Sequence, residues 1–363
     1  MNILFIGPYL QNDGWGRAAR NYIEALKLTG HTVAVRPIYM GTKLSPDRNI
    51  FKALEVTLDS YDIVIQNVLP EFMEYDGRFG KNIGLCYTET SNLEHTGWIE
   101  KTNLMDAIIV PSYADTVNLK PSTTPIFTVP IPVDTSKFEK SYDKLMQSDD
   151  FIFYFVGEHT ERKNMIGLVE AFNLEFEIDE PVSLVIKTNH PGIDKYTLEH
   201  SVNADIWQLK DIMRLYPTAA DYKKEILILD DLSDEDMCKL HCTCDCFVMP
   251  SRGESYNMPA IDAMGFGKTP IVTNRTGMTE FIDEDTGYLI NSYDVPVLTT
   301  SPPMPNIYSA YEVWKEIDVV DLRKRLREAY NDNGKKKLAG MDRIYDFDYQ
   351  SIANKLNQVF SNI

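Results

Sequence analysis

This chain is best understood from residues 249–290, MPSRGESYNMPAIDAMGFGKTPIVTNRTGMTEFIDEDTGYLI. The stretch begins at the end of an apolar run, Cys246–Pro250, continues through the polar loop 251–254, and has helical spacing from about Met258. A short apolar run followed by a loop and a helix is typical of a parallel β-sheet unit. The first backbone N–H groups of such a helix lack partners within the helix, so they favour anions such as a diphosphate.

Two carboxylates frame the predicted helix. Glu254 precedes it, and Asp262 follows eight residues later, inside the helix. This spacing puts Glu254 at the helix mouth and Asp262 about two turns deeper. One carboxylate could then hold a sugar and the other a ribose, with phosphates between them. An ordinary strand–loop–helix unit would explain the periodicity, but not Glu254, Pro259, Asp262, Gly267 and Pro270 together.

This segment resembles the signature of the retaining GT-B glycosyltransferases of group 1 (glycosyltransferase family 4). In that family a Glu, seven intervening residues and a second Glu mark the nucleotide-sugar site. The chain departs from the pattern with Asn257 in place of Gly and Asp262 in place of the second Glu. The resemblance implies that Asp262 holds the ribose and that Glu254 binds the donor sugar and is catalytic. It also places the next residues in the donor site: Ser255, Tyr256, Asn257 and Met258.

The pattern along the chain predicts an α/β fold with two domains. At 363 residues and 44% apolar residues, the chain is large enough for two cores. Short β-rich runs alternate with helical patterns on both sides of a polar stretch at 140–150, as in doubly wound parallel sheets. We predict two Rossmann-like domains: residues 1–145, which would bind the acceptor, and residues 146–345, which would bind the nucleotide sugar. The resemblance implies a GT-B arrangement around a central cleft, with a helix in 346–363 that returns to the N-terminal domain.

The loop GEHTERKN, residues 157–164, follows a predicted strand and precedes a helix. Its place matches the family's G-R-x-x-x-x-K-G loop, whose Arg and Lys hold the donor diphosphate. Lys163 falls on the Lys position, while Glu158 stands where the Arg would be. Arg162 is the natural substitute, because its planar guanidinium can grip two phosphate oxygens. The resemblance thus makes Lys163 and Arg162 the phosphate ligands, and Lys163 a catalytic residue as well; the alternative is a solvated charged turn.

Two other cations are candidate phosphate contacts. Lys187 ends a predicted strand, and Arg252 flanks Glu254. Ligands of doubly wound sheets bind at the carboxyl ends of the strands, where both residues are expected. A solvated side chain is the alternative for each.

The N-terminal half contributes two candidate positions. Gly16 lies in the G-W-G-R turn at 14–17, where the family has a glycine-rich loop over the donor phosphates; a simple turn is the alternative. Glu89-Thr90-Ser91, with Trp98 downstream, resembles a subgroup of the family with an E-T-S/T stretch. Glu89 is therefore the candidate acceptor-side acid or base. Its alternative role is to cap the next helix.

We expect neither a metal nor a cofactor. Asp234–Asp236 follow Ser233, which could cap a helix that carries these acids in its first turn. Four cysteines between residues 238 and 246 and the nearby His241 invite a zinc site, but the sequence shows no second pair of ligands. Alternating cysteines are equally good core residues. The odd cysteine count and the lack of a secretion signal predict a cytoplasmic protein.

Charge argues against nucleic acid as a partner, and hydropathy argues against a transmembrane segment. The net charge of −18 argues against a duplex nucleic-acid binder. No stretch approaches the roughly 20 apolar residues of a membrane span, although peripheral membrane contact is compatible with the sequence.

The predicted function is a metal-independent, retaining transfer of a sugar from a nucleoside diphosphate sugar, such as a UDP- or GDP-sugar. The acceptor would be a hydroxyl group of a carbohydrate, a lipid-linked molecule or a protein. Two alternatives remain open: a catalytically silent nucleotide-sugar-binding protein, and a GT-B-fold nucleotide-sugar epimerase. Glu158, Asn257 and Asp262 are the departures that would support the silent protein.

Overall fold

Two parallel β-sheets, each with six strands in the described residues, organise the chain. The structure is a computed structural model and describes residues 1–190, 192–300, 307–332 and 336–363. The first sheet has the order β2-β1-β3-β4-β5-β6. Its strands are β1 Asn2–Gly7, β2 Thr32–Pro37, β3 Ile63–Asn67, β4 Lys81–Leu85, β5 Ala107–Val110 and β6 Ile126–Thr128.

The second sheet has the order β12-β11-β10-β7-β8-β9. Its strands are β7 Phe151–Glu158, β8 Val182–Asn189, β9 Ile226–Ile228, β10 Cys246–Met249, β11 Thr269–Thr273 and β12 Tyr288–Ile290. The central strand β10 is buried throughout, as expected for a parallel strand covered on both faces. The predicted α/β fold with two doubly wound units is confirmed; the boundary between them at residue 145 stays a prediction.

Helices cover the sheets. Those that accompany the first sheet are α1 Gly14–Lys27, α2 Trp98–Thr102 and α3 Tyr113–Asn118. Those of the second are α4 Met165–Glu175, α5 Lys195–Met213, α6 Asp234–Thr243, α7 Met258–Gly265, α8 Val319–Asp332 and α9 Lys337–Arg343. Within the described part of the chain, no helix is both long and apolar enough to cross a bilayer.

The strand order of the second sheet places its loops. β7 pairs with β8 on one side and with β10 on the other, so the direction of winding reverses between β7 and β10. A crevice forms at the carboxyl ends of the strands at such a point, and ligands bind there. The loop after β7, residues 159–164, and the loop after β10, residues 250–257, therefore meet at one edge.

The last helix, α10 (Tyr349–Asn362), packs on α1 of the first half. Its inward face, including Ile352 and Leu356, is buried. The amide of Asn357 donates to the carbonyl of Thr29, and the backbone N–H of Val133 donates to the carbonyl of Phe347 over 2.8 Å. The predicted return of the C-terminal helix to the N-terminal domain is confirmed.

An antiparallel hairpin also links the two halves. It consists of β13 Ser292–Pro296 and β14 Val313–Ile317, and the sequence patterns did not predict it. Val313 at the start of β14 forms an isolated bridge with Ser91 of the first half. The residues just before β14 thus lie beside the E-T-S stretch at 89–91.

Candidate active site

Lys163 and Glu254 meet at the reversal of the second sheet. The Lys163 ammonium lies 2.5 Å from Glu254 Oε1, and Glu254 is 7% exposed. Burial alone would raise the pKa of Glu254, but the Lys163 and Arg162 charges outweigh it and leave the pKa below its usual range. The Glu254 side chain is therefore ionised at neutral pH. It lies three residues before Asn257, the residue that precedes α7.

Asn257 explains one departure from the family pattern. Its backbone has φ 76°, a left-handed conformation that Gly adopts freely and that Asn tolerates better than most residues. The Asn257 side chain accepts a hydrogen bond of 3.0 Å from the backbone N–H of Ala260. Asn257 therefore supplies the turn that a Gly would give, and it caps the first turn of α7 as well.

Arg162 bridges the two halves of the chain. One guanidinium nitrogen donates to the carbonyl of Gly253 over 2.7 Å and lies 3.5 Å from Glu254 Oε1. The other lies 3.0 Å from Glu89 Oε1. An added Cβ at Gly253 would come within 2.0 Å of the Glu89 carbonyl oxygen. The close approach of the two halves at this point therefore requires a glycine at position 253.

Glu89 lies where the two halves meet, with partners on both carboxylate oxygens. Oε1 faces Arg162, and Oε2 accepts a hydrogen bond from the hydroxyl of Tyr308. The next helical turn begins at Leu93 and is preceded by Asn92, so the structure gives Glu89 no part in capping it. The candidate acceptor-side residue and the candidate donor-side residue Glu254 thus share one bridging cation, Arg162.

Asp262 is ion-paired across the two halves. One of its oxygens contacts the guanidinium of Arg17, and the other lies 2.5 Å from the Lys137 ammonium. Burial raises the pKa of Asp262, but Arg17 and Lys137 lower it more, and the net result is a pKa far below the usual range. The ribose contact implied by the resemblance stays a prediction. In this structure both oxygens are engaged by cations instead.

The backbone around position 16 requires a glycine, independently of any phosphate. A Cβ at this position would come within 2.1 Å of the Gln11 carbonyl oxygen, and the Gly16 N–H donates to the Asp13 carboxylate. Asp13 caps α1 in this way. The tight turn into α1 therefore explains this glycine.

The remaining residues of the signature loop are largely enclosed. Ser255 donates from its hydroxyl to Asp115 over 2.9 Å, across the boundary between the halves. Tyr256 is buried, and its ring lies 4.9 Å from that of Phe281. Met258 is partly buried at the start of α7. Ser255 thus reaches the other half of the chain through its side chain.

Lys187 and Arg252 are placed differently from each other. Lys187 is 7% exposed near the end of β8. Burial lowers its pKa more than the charges of Asp231 and Asp230 raise it, so the pKa of Lys187 lies below its usual value. Arg252 lies with its Nε 2.8 Å from Glu316 of β14 and with its guanidinium 5.7 Å from the centre of the Trp314 ring. The structure thus holds Arg252 against the hairpin. A phosphate contact by either residue stays a prediction.

The residues considered for a metal site have other partners. Ser233 accepts from the backbone N–H of Asp236, so the acids 234–236 occupy the capped first turn of α6. His241 is buried against Tyr154, whose hydroxyl lies 2.7 Å from His241 Nδ1, and burial lowers the pKa of His241 to about 3. All five cysteines are free thiols. Among the described residues, no three His, Cys, Asp or Glu side chains are grouped to hold a metal ion.

Four residues of this region were not predicted from the sequence: Arg17, Lys137, Asp115 and Tyr308. Arg17 follows the G-W-G turn, and Lys137 lies in the segment between the halves. These positions indicate only weakly that the two residues belong to the site. Asp115 and Tyr308 offered none, because their contacts with Ser255 and Glu89 join distant parts of the chain.

The two facing doubly wound halves, the charged loops at the sheet edge and the returning last helix define a GT-B architecture. Residues 136–299 match the family model of glycosyl transferases group 1. The resemblance is thereby confirmed at the level of the group for the residues that the family model matches.

The comparisons with individual proteins agree with this family. The chain is 24% identical over 165 residues to the serotype-specific mannosyltransferase WbdA of Escherichia coli, a match that covers 46% of the chain and 18% of WbdA. The structure of Anabaena HepE in complex with UDP-glucose has a TM-score of 0.67 at 11% identity and covers 100% of both chains. Sucrose-phosphate synthase from Thermosynechococcus elongatus has a TM-score of 0.67 at 15% identity, covering 100% of this chain and 98% of that one. The structural likenesses show the fold.

Proposed function

We propose that the protein is a retaining glycosyltransferase that moves a sugar from a nucleoside diphosphate sugar, such as a UDP- or GDP-sugar, to an acceptor hydroxyl. The proposal is carried by the placement of Lys163, Arg162 and Glu254 where β7 and β10 end, in the part of the chain that matches the group 1 family. The UDP-glucose complex of HepE, which shares the fold, supports the donor class.

The charges of the site suit a diphosphate leaving group. Negative charge develops on the diphosphate as the bond to the sugar breaks. Lys163 and Arg162 would stabilise it. Both cations contact Glu254 in the structure, so they are already held at the place where that charge would develop. We propose that these cations take the place of a metal ion, so that the reaction requires neither a metal ion nor a cofactor.

The two carboxylates take separate roles. Glu254, held ionised between Lys163 and Arg162, would accept hydrogen bonds from hydroxyl groups of the donor sugar. Glu89 lies across the cleft and would act on the acceptor hydroxyl, which belongs to a carbohydrate, a lipid-linked molecule or a protein. The retaining outcome rests on the resemblance to the family. Five free thiols support a cytoplasmic location.

The first test is a panel of nucleotide sugars followed by thermal shift. A ligand at 100 times its dissociation constant stabilises the folded protein by about 2.7 kcal/mol, which a melting curve resolves. Donors that bind are then assayed for hydrolysis and for transfer, with and without EDTA, and the anomeric configuration of the product is read by NMR. We expect EDTA-resistant transfer with retention. Binding with neither hydrolysis nor transfer would indicate a silent binding protein, and interconversion of the donor sugar would indicate an epimerase.

A further inference from the structure

The segment 307–317 of the second half lies on the first half, directly beside Glu89. Each residue of the E-T-S stretch bonds to it. The backbone groups of Ser91 and Val313 exchange two hydrogen bonds of 2.9 and 3.2 Å. The hydroxyl of Thr90 donates to Glu312, and Glu89 accepts from Tyr308. The E-T-S stretch is therefore the docking strip for this segment.

Glu312 anchors the segment. Its side chain is completely buried, and it accepts from Thr90 and from the backbone N–H of Ser309 over 3.3 Å. Thr90 contacts Oε2 of Glu312, whereas Ser309 contacts Oε1, and His95 Nε2 also lies 3.4 Å from Oε1. A buried carboxylate is tolerated only when its oxygens have such partners. The position of the segment relative to Glu89 is thus fixed by a satisfied polar cluster.

Tyr308 makes the contact that reaches the reacting groups. Its hydroxyl donates to Glu89 Oε2, while Arg162 holds Oε1 from the other side at 3.0 Å. The Tyr308 backbone has φ 60°, which is unfavourable for a bulky side chain. Such a conformation persists where the surroundings impose it, and it is found more often at functional sites. Burial raises the pKa of Tyr308, as does Glu89, so the hydroxyl stays a proton donor at neutral pH.

We propose that Tyr308 is a positioning residue for the transfer reaction: its hydroxyl fixes the Glu89 carboxylate in the orientation in which it meets Arg162 and the acceptor. The contacts run from Tyr308 through Glu89, Arg162 and Glu254 to Lys163 without a gap. The segment therefore couples the acceptor side of the cleft to the donor side. This inference deepens the function proposed above and rests on it.

The test is a double-mutant cycle in the full chain. Tyr308→Phe keeps the ring and removes only the hydroxyl, and Glu89→Gln removes the charge that the hydroxyl meets. Tyr311→Phe, three residues along the same segment and 77% exposed, is the matched control. For each variant, kcat and the donor KM are measured with a donor and acceptor that the wild-type protein uses, alongside calorimetric binding of the free nucleoside diphosphate.

We expect Tyr308→Phe to lower kcat roughly 10-fold, equivalent to about 1.4 kcal/mol at the barrier, with donor KM and diphosphate affinity within about twofold. The double variant should be no slower than Glu89→Gln alone, because the hydroxyl acts through Glu89. Tyr311→Phe should match the wild type.

Three results overturn the inference. They are a Tyr308→Phe variant as fast as the wild type, losses that add in the double variant, and faster transfer, which would mean that Tyr308 blocks the acceptor. A wild-type protein that transfers no sugar overturns the proposed function and this inference with it. The two failures are distinct, because the first three results all require a wild-type protein that works.

Discussion

Asp262→Asn should destabilise the folded protein by roughly 3 kcal/mol. Asp262 and Lys137 have side chains that are 7% and 14% exposed, and Arg17 is 32% exposed. Removal of one partner from a buried ion pair costs roughly 3–5 kcal/mol, because the remaining charge is left without compensation. The lower end applies here, since Arg17 is partly in contact with solvent and the Asn oxygen still accepts one hydrogen bond.

The assay is urea unfolding of Asp262→Asn beside Asp231→Asn. Asp231 and Lys43 form a second ion pair between the two halves, with 54% and 73% of their side chains exposed. Exposed pairs contribute about 1 kcal/mol or less, so the control should unfold close to the wild type. Equal unfolding midpoints for the two variants would refute the reasoning.

The same variant has a pH signature and a kinetic one. The pKa of Asp262 is lowered in the folded protein. The ionised Asp262 therefore adds to the free energy of unfolding above about pH 4, its pKa in the unfolded chain, and this contribution is lost as the pH falls further. The difference between wild type and Asp262→Asn should therefore shrink in acid. A donor KM that rises together with the loss of stability would support the ribose contact as well, whereas an unchanged KM would leave Asp262 a purely structural residue.

Three other predictions follow from the site. Lys163→Ala should weaken nucleoside diphosphate binding by roughly 1.5–3 kcal/mol in calorimetry, whereas Lys195→Ala, an exposed pair partner of Asp230, should not; equal affinities would remove Lys163 from the site. Glu89→Gln should slow transfer by roughly 10²–10⁴-fold with donor binding nearly unchanged if Glu89 is the acid or base; a smaller loss would mean that it only orients the acceptor. Burial raises the pKa of Asp115 to about 7, so the folded protein favours the protonated form of this carboxyl. The resulting contribution to the free energy of unfolding is fully present below about pH 4 and is lost as the pH rises to about 7. The melting temperature of the wild type relative to Asp115→Asn should therefore fall between pH 5 and pH 8, and a constant difference would contradict the assignment.

Local signals predicted the strand, loop and helix that carry the candidate donor residues. The strand before Pro250, the loop and the start of α7 at Met258 all follow from periodicity and turn chemistry within a few residues. The meeting of Lys163 with Glu254 follows from a general property of doubly wound sheets, in which the loops at the point of reversal share one edge. The order of strands and helices along the chain was enough to expect both loops at the carboxyl ends of strands, but their contact depends on the pairing of β7 with β10, which periodicity does not indicate.

Contacts between the halves could not be predicted in this way. The two oxygens of Asp262 face Arg17 and Lys137, which lie 245 and 125 residues away along the chain. Neither hydrophobic periodicity nor turn residues indicate how one domain packs against the other. The E-T-S stretch was singled out by resemblance, but its contacts with Tyr308 and Glu312 depend on a hairpin whose strands are short and mix apolar with charged residues.

Several contacts between the two halves are also contacts of the candidate site. Arg162 with Glu89, Asp262 with Arg17 and Ser255 with Asp115 each join one half to the other, and each includes a residue predicted for donor or acceptor binding. A donor diphosphate that draws Arg162 away from Glu89 would therefore also loosen the junction between the halves. The hydroxyl of Tyr308 would then be the remaining partner of Glu89, since it approaches the oxygen that Arg162 does not hold. Donor affinity and kcat should therefore be measured together in every variant: a donor affinity that changes along with kcat would show that Arg162 is shared between the donor and Glu89.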